Sequence, residues 1–533
     1  MTPLFLQFQI QRVSLKRLGV TGRDARRTSR RGRLPYPSSL VLRWHKESGV
    51  LSLRDEGGRG KLEVMNSLPI RLLWMVAAGW LAGTLFAADE PSWKAGTARA
   101  NITPAQPQWM AGYGSRTKPA EGKVMDLWIK VLALEDARGH RAIVLSGDLL
   151  GFPQSIYQHT CAALKEQFAL EPDQILLAVS HTHCGPVLRG ALYDIYPLDD
   201  AQIALIEKYS DELELKMVDA VGRAIGDLAP ARLAAGQGTA GFAVNRRNNL
   251  EPDVPKLIAQ GALKGPVDHS VPVLAVYQPE GRLKAVLFGY ACHNTVLDFY
   301  QWCGDYAGFA QRALEQSHPD ATAMFFMGCG ADQNALPRRR LELAERYGNM
   351  LAAAVEEALL APPRNLAPEL RTSIEPVTLN LGPAPTEAEL EKLKSDKSPM
   401  VSRWATRLLG DLKAGKPFIR TCPLPLQAWQ FGGEQLLITI GGEPVVDWAL
   451  RLKQQFGPRT WVAGYCNDVM TYIPSLRVLQ EDKPPVARSR WGYEGAQAML
   501  VYGLPAWRWA DDVEALVDAG ARRAVERVLT LGK

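Results

Sequence analysis

Short apolar runs that end in polar or ionisable residues recur from residue 93 onward, and this rhythm constrains the fold more than any other feature. Six such runs occupy residues 142–145, 175–179, 285–288, 323–327, 436–440 and 460–463. Each has the length of a buried strand. Polar residues at strand ends are typical of an α/β protein whose site lies at the carboxyl edge of a sheet. The sequence therefore predicts mixed sheets flanked by helices, with one shared site.

Helical periodicity fills the intervals between these runs. Helices are predicted at 157–168, 201–225, 308–316, 341–360 and 445–456. The proline-rich stretch 361–385 is interpreted as a connection between two closely packed lobes, about 93–365 and 366–533. Residues 386–416 are polar and helical and are predicted to form a surface insertion.

Basic residues concentrate in a leader before residue 65. The whole chain carries a formal charge of +6, but residues 1–64 hold 14 Lys or Arg against 5 Asp or Glu, a net of +9 that leaves −3 for the rest. The arginine cluster around Arg26 and Arg31 lacks interleaved aromatic residues and a recognisable binding module, so no nucleic-acid partner is predicted. We interpret the leader as an over-extended start that is not part of the mature protein.

Residues 65–88 are predicted to be a secretory signal peptide. Met65 and Arg71 precede an apolar run at 72–86, and two alanines follow before Asp89. Cleavage would export the protein to the periplasm or beyond. An uncleaved membrane anchor is the alternative, since a spanning helix needs about 20 apolar residues. The seven cysteines are too few for a disulfide framework in a chain of 533 residues.

Three of the eight histidines directly follow predicted strands. His181 and His183 occupy alternate positions and therefore point the same way along an extended backbone. His293 follows a later strand. Imidazoles in such places can ligate a metal or transfer a proton, whereas structural histidines held by hydrogen bonds are the alternative interpretation.

Two further residues have weaker local signals. Glu443 follows an apolar strand and two glycines and precedes Pro444 at the start of a predicted helix. A carboxylate is electrostatically favoured there, so a metal ligand and a simple helix cap are both open. Tyr472, taken alone, is typical of a core aromatic residue.

Short motifs in one unbroken order link these residues: Asn101-Ile-Thr-Pro104, Gly112-Tyr-Gly114, His181-Thr-His-Cys-Gly-Pro186, Asn245-Arg-Arg247, His293-Asn-Thr295, Gly442-Glu-Pro444, Asn467-Asp468 with Tyr472, and Tyr493-Glu-Gly495. In this combination, residues 93–528 resemble the catalytic domain of the neutral/alkaline non-lysosomal ceramidases. The resemblance implies a Zn²⁺ ion held by His181, His293, Glu443 and Tyr472. It also implies catalytic roles at the reaction centre for His183, Arg246 and Tyr493.

Two departures from the family pattern concern the substrate more than the metal. The family's Gly-Asp-Val-Ser-Pro-Asn segment corresponds to Gly330-Ala-Asp-Gln-Asn334, which has no serine. The family's C-terminal β-sandwich is expected to be absent. Since neither departure touches a predicted ligand, residues 93–533 are predicted to form one ceramidase-like zinc amidohydrolase domain.

The expected function is zinc-dependent hydrolysis of an N-acyl amide bond. A ceramide-like lipid, cleaved to a sphingoid base and a fatty acid, is the leading substrate, and peripheral contact with membrane lipid would accompany it. Apolar candidates for its entrance are Leu188, Phe299, Trp302 and Met470. A zinc esterase, another amide hydrolase on the same fold and an inactive exported binding protein are the alternatives.

Overall fold

The computed structural model describes residues 40–45, 50–55, 92–482 and 492–531. The chain divides into two units, Met1–Ala88 and Asp89–Lys533. The predicted signal peptide at 65–88 lies outside the described residues. Among the helices that the structure describes, none has both the length and the apolar character needed to cross a bilayer.

Strands are numbered in chain order. They are β1 (Leu40–His45), β2 (Val50–Asp55), β3 (Trp93–Asn101), β4 (Gly122–Lys123), β5 (Trp128–Glu135), β6 (Arg141–Gly147), β7 (Ile175–Val179), β8 (Ala229–Thr239), β9 (Ala243–Asn245), β10 (Ser270–Tyr277), β11 (Leu283–Tyr290), β12 (Gln301–Trp302), β13 (Thr322–Met327), β14 (Gln333–Ala335), β15 (Arg364–Leu366), β16 (Leu370–Asn380), β17 (Thr421–Phe431), β18 (Gln435–Ile440), β19 (Glu443–Pro444), β20 (Trp461–Ala463) and β21 (Tyr472–Ile473). All six predicted strands are present.

The described helices are α1 (Gln154–Phe168), α2 (Asp200–Gly226), α3 (Val254–Ala259), α4 (Asp305–Ser317), α5 (Leu341–Leu360), α6 (Glu387–Leu393), α7 (Pro399–Lys413), α8 (Val446–Phe456), α9 (Leu476–Glu481), α10 (Ala498–Val501) and α11 (Val513–Thr530). A π-helical turn, Tyr493–Gln497, precedes α10. The five predicted helices are all found, and α5 has the predicted bounds.

In the first unit, β1 pairs with β2 in an antiparallel hairpin. The second unit contains a nine-stranded mixed sheet in the order β13-β11-β10-β8-β3-β5-β6-β7, with β15 beside β8. A four-stranded sheet in the order β16-β17-β18-β20 follows it in the chain. Both sheets end in parallel pairs, β11 with β13, β6 with β7 and β18 with β20.

The two sheets pack face to face, because alternate strand residues from both enter one shared core. Leu132 and Leu274 of the larger sheet and Trp429 and Leu437 of the smaller sheet belong to this core. Helices α1, α2, α4 and α5 cover the outer face of the larger sheet, and α8 and α11 cover that of the smaller sheet. Each fully buried large side chain contributes roughly 1.5–3 kcal/mol. The predicted fold class, mixed sheets flanked by helices, is confirmed.

The stretch 361–385, predicted to connect two lobes, contains β15 and the whole of β16. These strands pair with β8 of the larger sheet and β17 of the smaller sheet, so the chain passes from one sheet to the other here through two strands. The strand register accommodates the proline of β16, because Pro376 lies opposite Pro425. Neither proline therefore removes a backbone N–H that the other strand would need at that position. Alternating burial along β16 shows why this segment is a strand despite its prolines.

Strand ends converge on one edge of this architecture. Polar segments follow β7, β11 and β13 in the larger sheet and β18 and β20 in the smaller one. The short strands β19 and β21 pair in parallel and place Glu443 opposite Tyr472. A bridge between His293 and Asn334 joins the segments after β11 and β13.

Candidate active site

The backbone after β7 and β11 aims two imidazoles at one point. His181 adopts a left-handed conformation with φ 55°, which is uncommon for a residue with a side chain. Its Nδ1 donates to the carbonyl of Leu150 at 2.5 Å. His293 Nδ1 donates to the carbonyl of Gly330 at 3.1 Å. Because each Nδ1 carries a proton toward a carbonyl, each Nε2 presents a lone pair to the interior.

Two side-chain oxygen atoms lie close to these lone pairs. The Nε2 atoms of His181 and His293 are 3.1 Å apart. Glu443 Oε2 lies 3.4 Å from the first and 3.5 Å from the second. The Tyr472 hydroxyl is 3.3 Å from His293 Nε2. The structure thus brings together His181, His293, Glu443 and Tyr472, although they span almost 300 positions of sequence.

The charge states of these four side chains disfavour hydrogen bonds among them and suit them to be metal ligands. Burial lowers the pKa of His181 to about 3 and that of His293 well below its ordinary value, so both rings are neutral. Two neutral lone pairs at 3.1 Å repel unless a cation lies between them. Burial raises the pKa of Glu443 to about 7, and its buried Oε2 has no hydrogen-bond partner among the described residues.

This donor set fits a borderline metal ion. Imidazole nitrogen with carboxylate and phenol oxygen suits zinc and similar ions, whereas magnesium and calcium prefer all-oxygen sites. The Nδ1 bonds to backbone carbonyls are the support that ligating histidines usually have. A cation would also satisfy the orphaned Oε2 of Glu443.

His183 lies beside the pair but is held differently. Its Nε2 is 3.3 Å from His181 Nε2, so the three imidazoles form a group with metal-binding spacing. In the part of the chain that the structure describes, its Nδ1 has no hydrogen-bond partner. This nitrogen faces Gly112, where an added Cβ atom would lie 2.3 Å from it. Gly112, at φ 102°, is therefore required both by conformation and by this contact. Tyr113 packs on the other side of the ring.

Arg246 brings a fixed positive charge to the same place. Its Nε donates to Glu494 at 2.9 Å, and its Nη2 donates to the Tyr472 hydroxyl at 3.2 Å. Burial disfavours the charge, but Tyr472 and Glu494 outweigh burial and keep the pKa of Arg246 above its ordinary value. The ring of Tyr493 lies 5.7 Å from the guanidinium carbon, in cation–π range.

Sequence reasoning missed three residues that support the cluster. The Tyr502 hydroxyl donates to Glu443 Oε1. The Tyr465 ring lies 4.4 Å from that of His181, and its hydroxyl is 3.3 Å from His293 Nδ1. Glu494 orients Arg246. Tyr465 follows strand β20, so the strand-end signal could have identified it, whereas nothing local distinguishes Tyr502.

The segment that lacks the family's serine has structural bonds of its own. Asp332 Oδ1 accepts from the backbone N–H of Val446 at the start of α8, and Oδ2 accepts from Asn245 at 3.1 Å. Asn334 Oδ1 accepts from Arg246 at 3.4 Å. The segment therefore joins the two sheets and helps to position the guanidinium.

A cavity of about 880 Å³ opens over the cluster. Its lining includes His183, His293, Tyr472 and Tyr493, together with polar and charged residues farther out. None of the apolar entrance candidates lines it. Leu188 and Trp302 are buried in cores, and Met470 lines a separate cavity of about 360 Å³. The predicted apolar entrance was wrong because strand and helix packing uses those side chains elsewhere.

Comparison with known proteins identifies a matching family and a similar fold. Residues 93–339 match the family described as neutral/alkaline non-lysosomal ceramidase, N-terminal. The resemblance to the neutral/alkaline ceramidases is confirmed. A crystal structure of neutral ceramidase from Pseudomonas aeruginosa is similar, with a TM-score of 0.61 and 18% identity over 83% of this chain and 75% of that one.

A second solved structure, described as ceramidase complexed with C2, matches with the same TM-score, identity and coverage. At this identity the likeness establishes the ceramidase fold. No curated protein sequence matches the chain. The family match contains the three histidines and Arg246, whereas Glu443, Tyr472 and Tyr493 lie beyond it, so their placement in the centre depends on the fold.

Proposed function

We propose that this protein is a zinc-dependent hydrolase of N-acyl amide bonds, with a ceramide-like lipid as the leading substrate. The observation that carries the proposal is the convergence of two neutral imidazoles and an unpaired carboxylate oxygen beneath an open cavity. The family and fold match support a hydrolase of the ceramidase type.

His181, His293, Glu443 and Tyr472 would hold the ion. Zinc, when bound, supplies Lewis acidity and lowers the pKa of water to about 7. His183 is assigned to proton transfer because its Nδ1 lacks the carbonyl bond that the other two imidazoles make. Its Nε2 is the nitrogen directed at the cluster, and it can therefore accept a proton there and return it to the leaving amine. Such assistance is typically worth ~10²–10⁴ in rate.

Arg246 and Tyr493 would act on the substrate carbonyl. The guanidinium is already oriented by Glu494 and Asn334, so little reorganisation is needed when negative charge develops on the oxygen. A donor held in this way contributes on the order of 3 kcal/mol. This mechanism requires no nucleophilic serine, so the altered segment 330–334 is compatible with it.

The test measures metal and amide cleavage together. We expect about one zinc per chain by elemental analysis, and release of fatty acid from a panel containing a short-chain ceramide, an N-acyl amino acid and a simple ester. Glu443→Gln, which keeps the side-chain volume, should lose both zinc and turnover. Protein without a transition metal, turnover of the ester alone, or turnover that survives Glu443→Gln would overturn the proposal.

We also propose that the protein is exported by cleavage of the segment 65–88. Cleavage after Ala88 would leave the compact unit Asp89–Lys533 whole. N-terminal sequencing of protein from the expressing cell should find a mature start near Asp89. A start within the leader would contradict this proposal and favour the uncleaved anchor.

A further inference from the structure

The cavity over the cluster is lined by guanidinium groups to a degree that ceramide does not explain. Four arginines and two glutamates line it: Arg246, Arg247, Arg338, Arg339, Glu251 and Glu494. Its aliphatic lining is limited to Leu336 and three prolines. Burying the charged groups of this wall under an alkyl chain is unfavourable, because charged groups lose hydration when apolar surface covers them.

The two inner arginines are already committed. Arg247 is buried and binds Asp482 through both terminal nitrogens, with Glu481 and Glu494 also in contact. Arg246 is bound by Glu494 and Tyr472. These groups organise the centre, so any recognition of substrate charge depends on the outer pair, Arg338 and Arg339.

That outer pair shares one acid. Arg338 donates through Nε and Nη2 to Glu251 Oε2 at 3.1 and 2.9 Å, and Arg339 reaches Glu251 Oε1 at 2.5 Å. Arg339 is also 3.2 Å from Asp298, which is not among the cavity-lining residues. Within the described residues, Nη1 of Arg338 has no hydrogen-bond partner. Glu251 therefore pairs with both guanidiniums at the cavity wall, and Asp298 is a second partner of Arg339 alone.

The backbone at this position is strained in a way that favours a functional explanation. Arg339 has φ 74°, in the left-handed region that residues with a Cβ atom rarely adopt. Its N–H donates to the carbonyl of Val296 at 2.6 Å, which fixes the strand-end loop beside His293. Outliers of this kind persist where the surrounding structure imposes them, and they cluster at ligand sites.

We infer that Arg338 and Arg339 bind a carboxylate on the substrate, so that the preferred N-acyl amides are anionic ones such as N-acyl amino acids. This inference rests on the proposed amide hydrolysis and specifies its substrate class. Guanidinium groups match carboxylates in a planar, paired geometry. Leu336 and the prolines would contact the acyl chain, and the amide would lie over the cluster.

Matched substrate pairs test the inference. N-decanoylglycine is compared with N-decanoylglycinamide, which is neutral, and decanoate release is measured for both. A second pair places the carboxylate on the acyl side: the mono-propylamide of a ten-carbon dicarboxylic acid against N-propyldecanamide. In at least one of the two pairs, we expect the anionic substrate to have a kcat/KM about 10–100-fold above that of its neutral partner. The reason is that a site built to bind a polar group rejects an analogue that lacks this group. Equal values within both pairs would overturn the inference.

Substitutions of the two arginines test whether they cause the preference for anionic substrates. Arg339→Asn removes the charge with a residue that tolerates a left-handed backbone, and Arg338→Gln removes the neighbouring charge. Each should reduce the ratio of kcat/KM for the anionic substrate to kcat/KM for the neutral substrate by about 3–10-fold. Arg282→Gln is the control matched to Arg339, since Arg282 is similarly exposed and also bridges two acids, Glu280 and Asp320. A ratio that stays unchanged in both test variants contradicts the assignment.

A binding measurement separates this inference from the proposed function. N-(decylsulfonyl)glycine cannot be cleaved as an amide, and its affinity for the purified protein is measured by calorimetry against that of its methyl ester. Tighter binding of the acid, lost in Arg338→Gln, would support the carboxylate site even if no amide were hydrolysed. Hydrolysis of ceramide with equal binding of acid and ester would leave the function standing and refute the inference.

Discussion

The two sheets contribute to the centre in different ways. The nine-stranded sheet supplies His181 and His293 directly after long strands, and backbone carbonyls fix both rings. The C-terminal part supplies Glu443 and Tyr472 from two-residue strands, and side-chain hydroxyl and guanidinium groups hold them. The imidazole side is therefore set by the backbone, whereas the acid side is set by side-chain contacts that conservative substitutions can alter one at a time.

Removing an imidazole should have the largest effect. In His293→Asn the proposed zinc site loses a ligand whose position the backbone dictates. We expect zinc content near zero and a loss of activity on the order of 10³-fold or more, since a metal contributes several kcal/mol. His318→Asn is the control, because His318 pairs with Glu356 at a partly exposed site away from the cluster. Full activity in His293→Asn would contradict the view that the backbone-fixed imidazoles are essential to the centre.

Asp468, a buried acid of the C-terminal part, tests how much an unpaired charge there destabilises the folded protein. Burial raises the pKa of Asp468 to about 7 from 3.8, and Tyr157 and Cys422, two groups on which its charge acts, are kept neutral by burial. The folded state thus binds more protons than the unfolded state, and stability falls as pH rises from about 4 to 7.

Asp468→Asn should therefore raise the free energy of unfolding at pH 8, by about 2–4 kcal/mol. The gain should shrink as pH falls towards 4, where both states carry the protonated acid. Chemical denaturation at several pH values checks this, with Asp320→Asn as an exposed control. A gain that does not depend on pH would show that packing, and not charge, decides the effect.

The smallest effect is expected from Tyr502→Phe. This change removes one hydrogen bond to Glu443 Oε1 and leaves the ligand atoms in place. Partners of metal ligands are worth 10–100-fold in metal affinity, and we expect the lower end here because Arg246 still balances the charge. Zinc affinity measured by competition with a chelator checks it. A loss as large as that of His293→Asn would show that the acid side is as rigid as the imidazole side.

Local sequence was enough to predict five helices and six strands, among them β7, β11, β13, β18 and β20, whose ends lead to the site, but not the other strands of the two sheets. Period-two and helical periodicity survive in the structure because buried strands and amphipathic helices need those patterns to fill a core. It was also enough to single out the histidines, since imidazoles directly after strands have few structural reasons to be there. The strand that contains Pro376, β16, was not predicted, because the tolerance of a proline depends on its partner strand, which a linear pattern does not contain.

The sequence by itself determined the layered α/β fold, the histidine positions and, through its ordered motifs, the resemblance to the ceramidases. Only the tertiary structure decided which side chains meet. It brought Tyr502 onto Glu443, directed Leu188, Trp302 and Met470 away from the cavity, and placed Arg338 and Arg339 in its wall. The physical reason is that strand ends far apart in sequence meet at one sheet edge, where the charge and shape of a site depend on partners that no local pattern records.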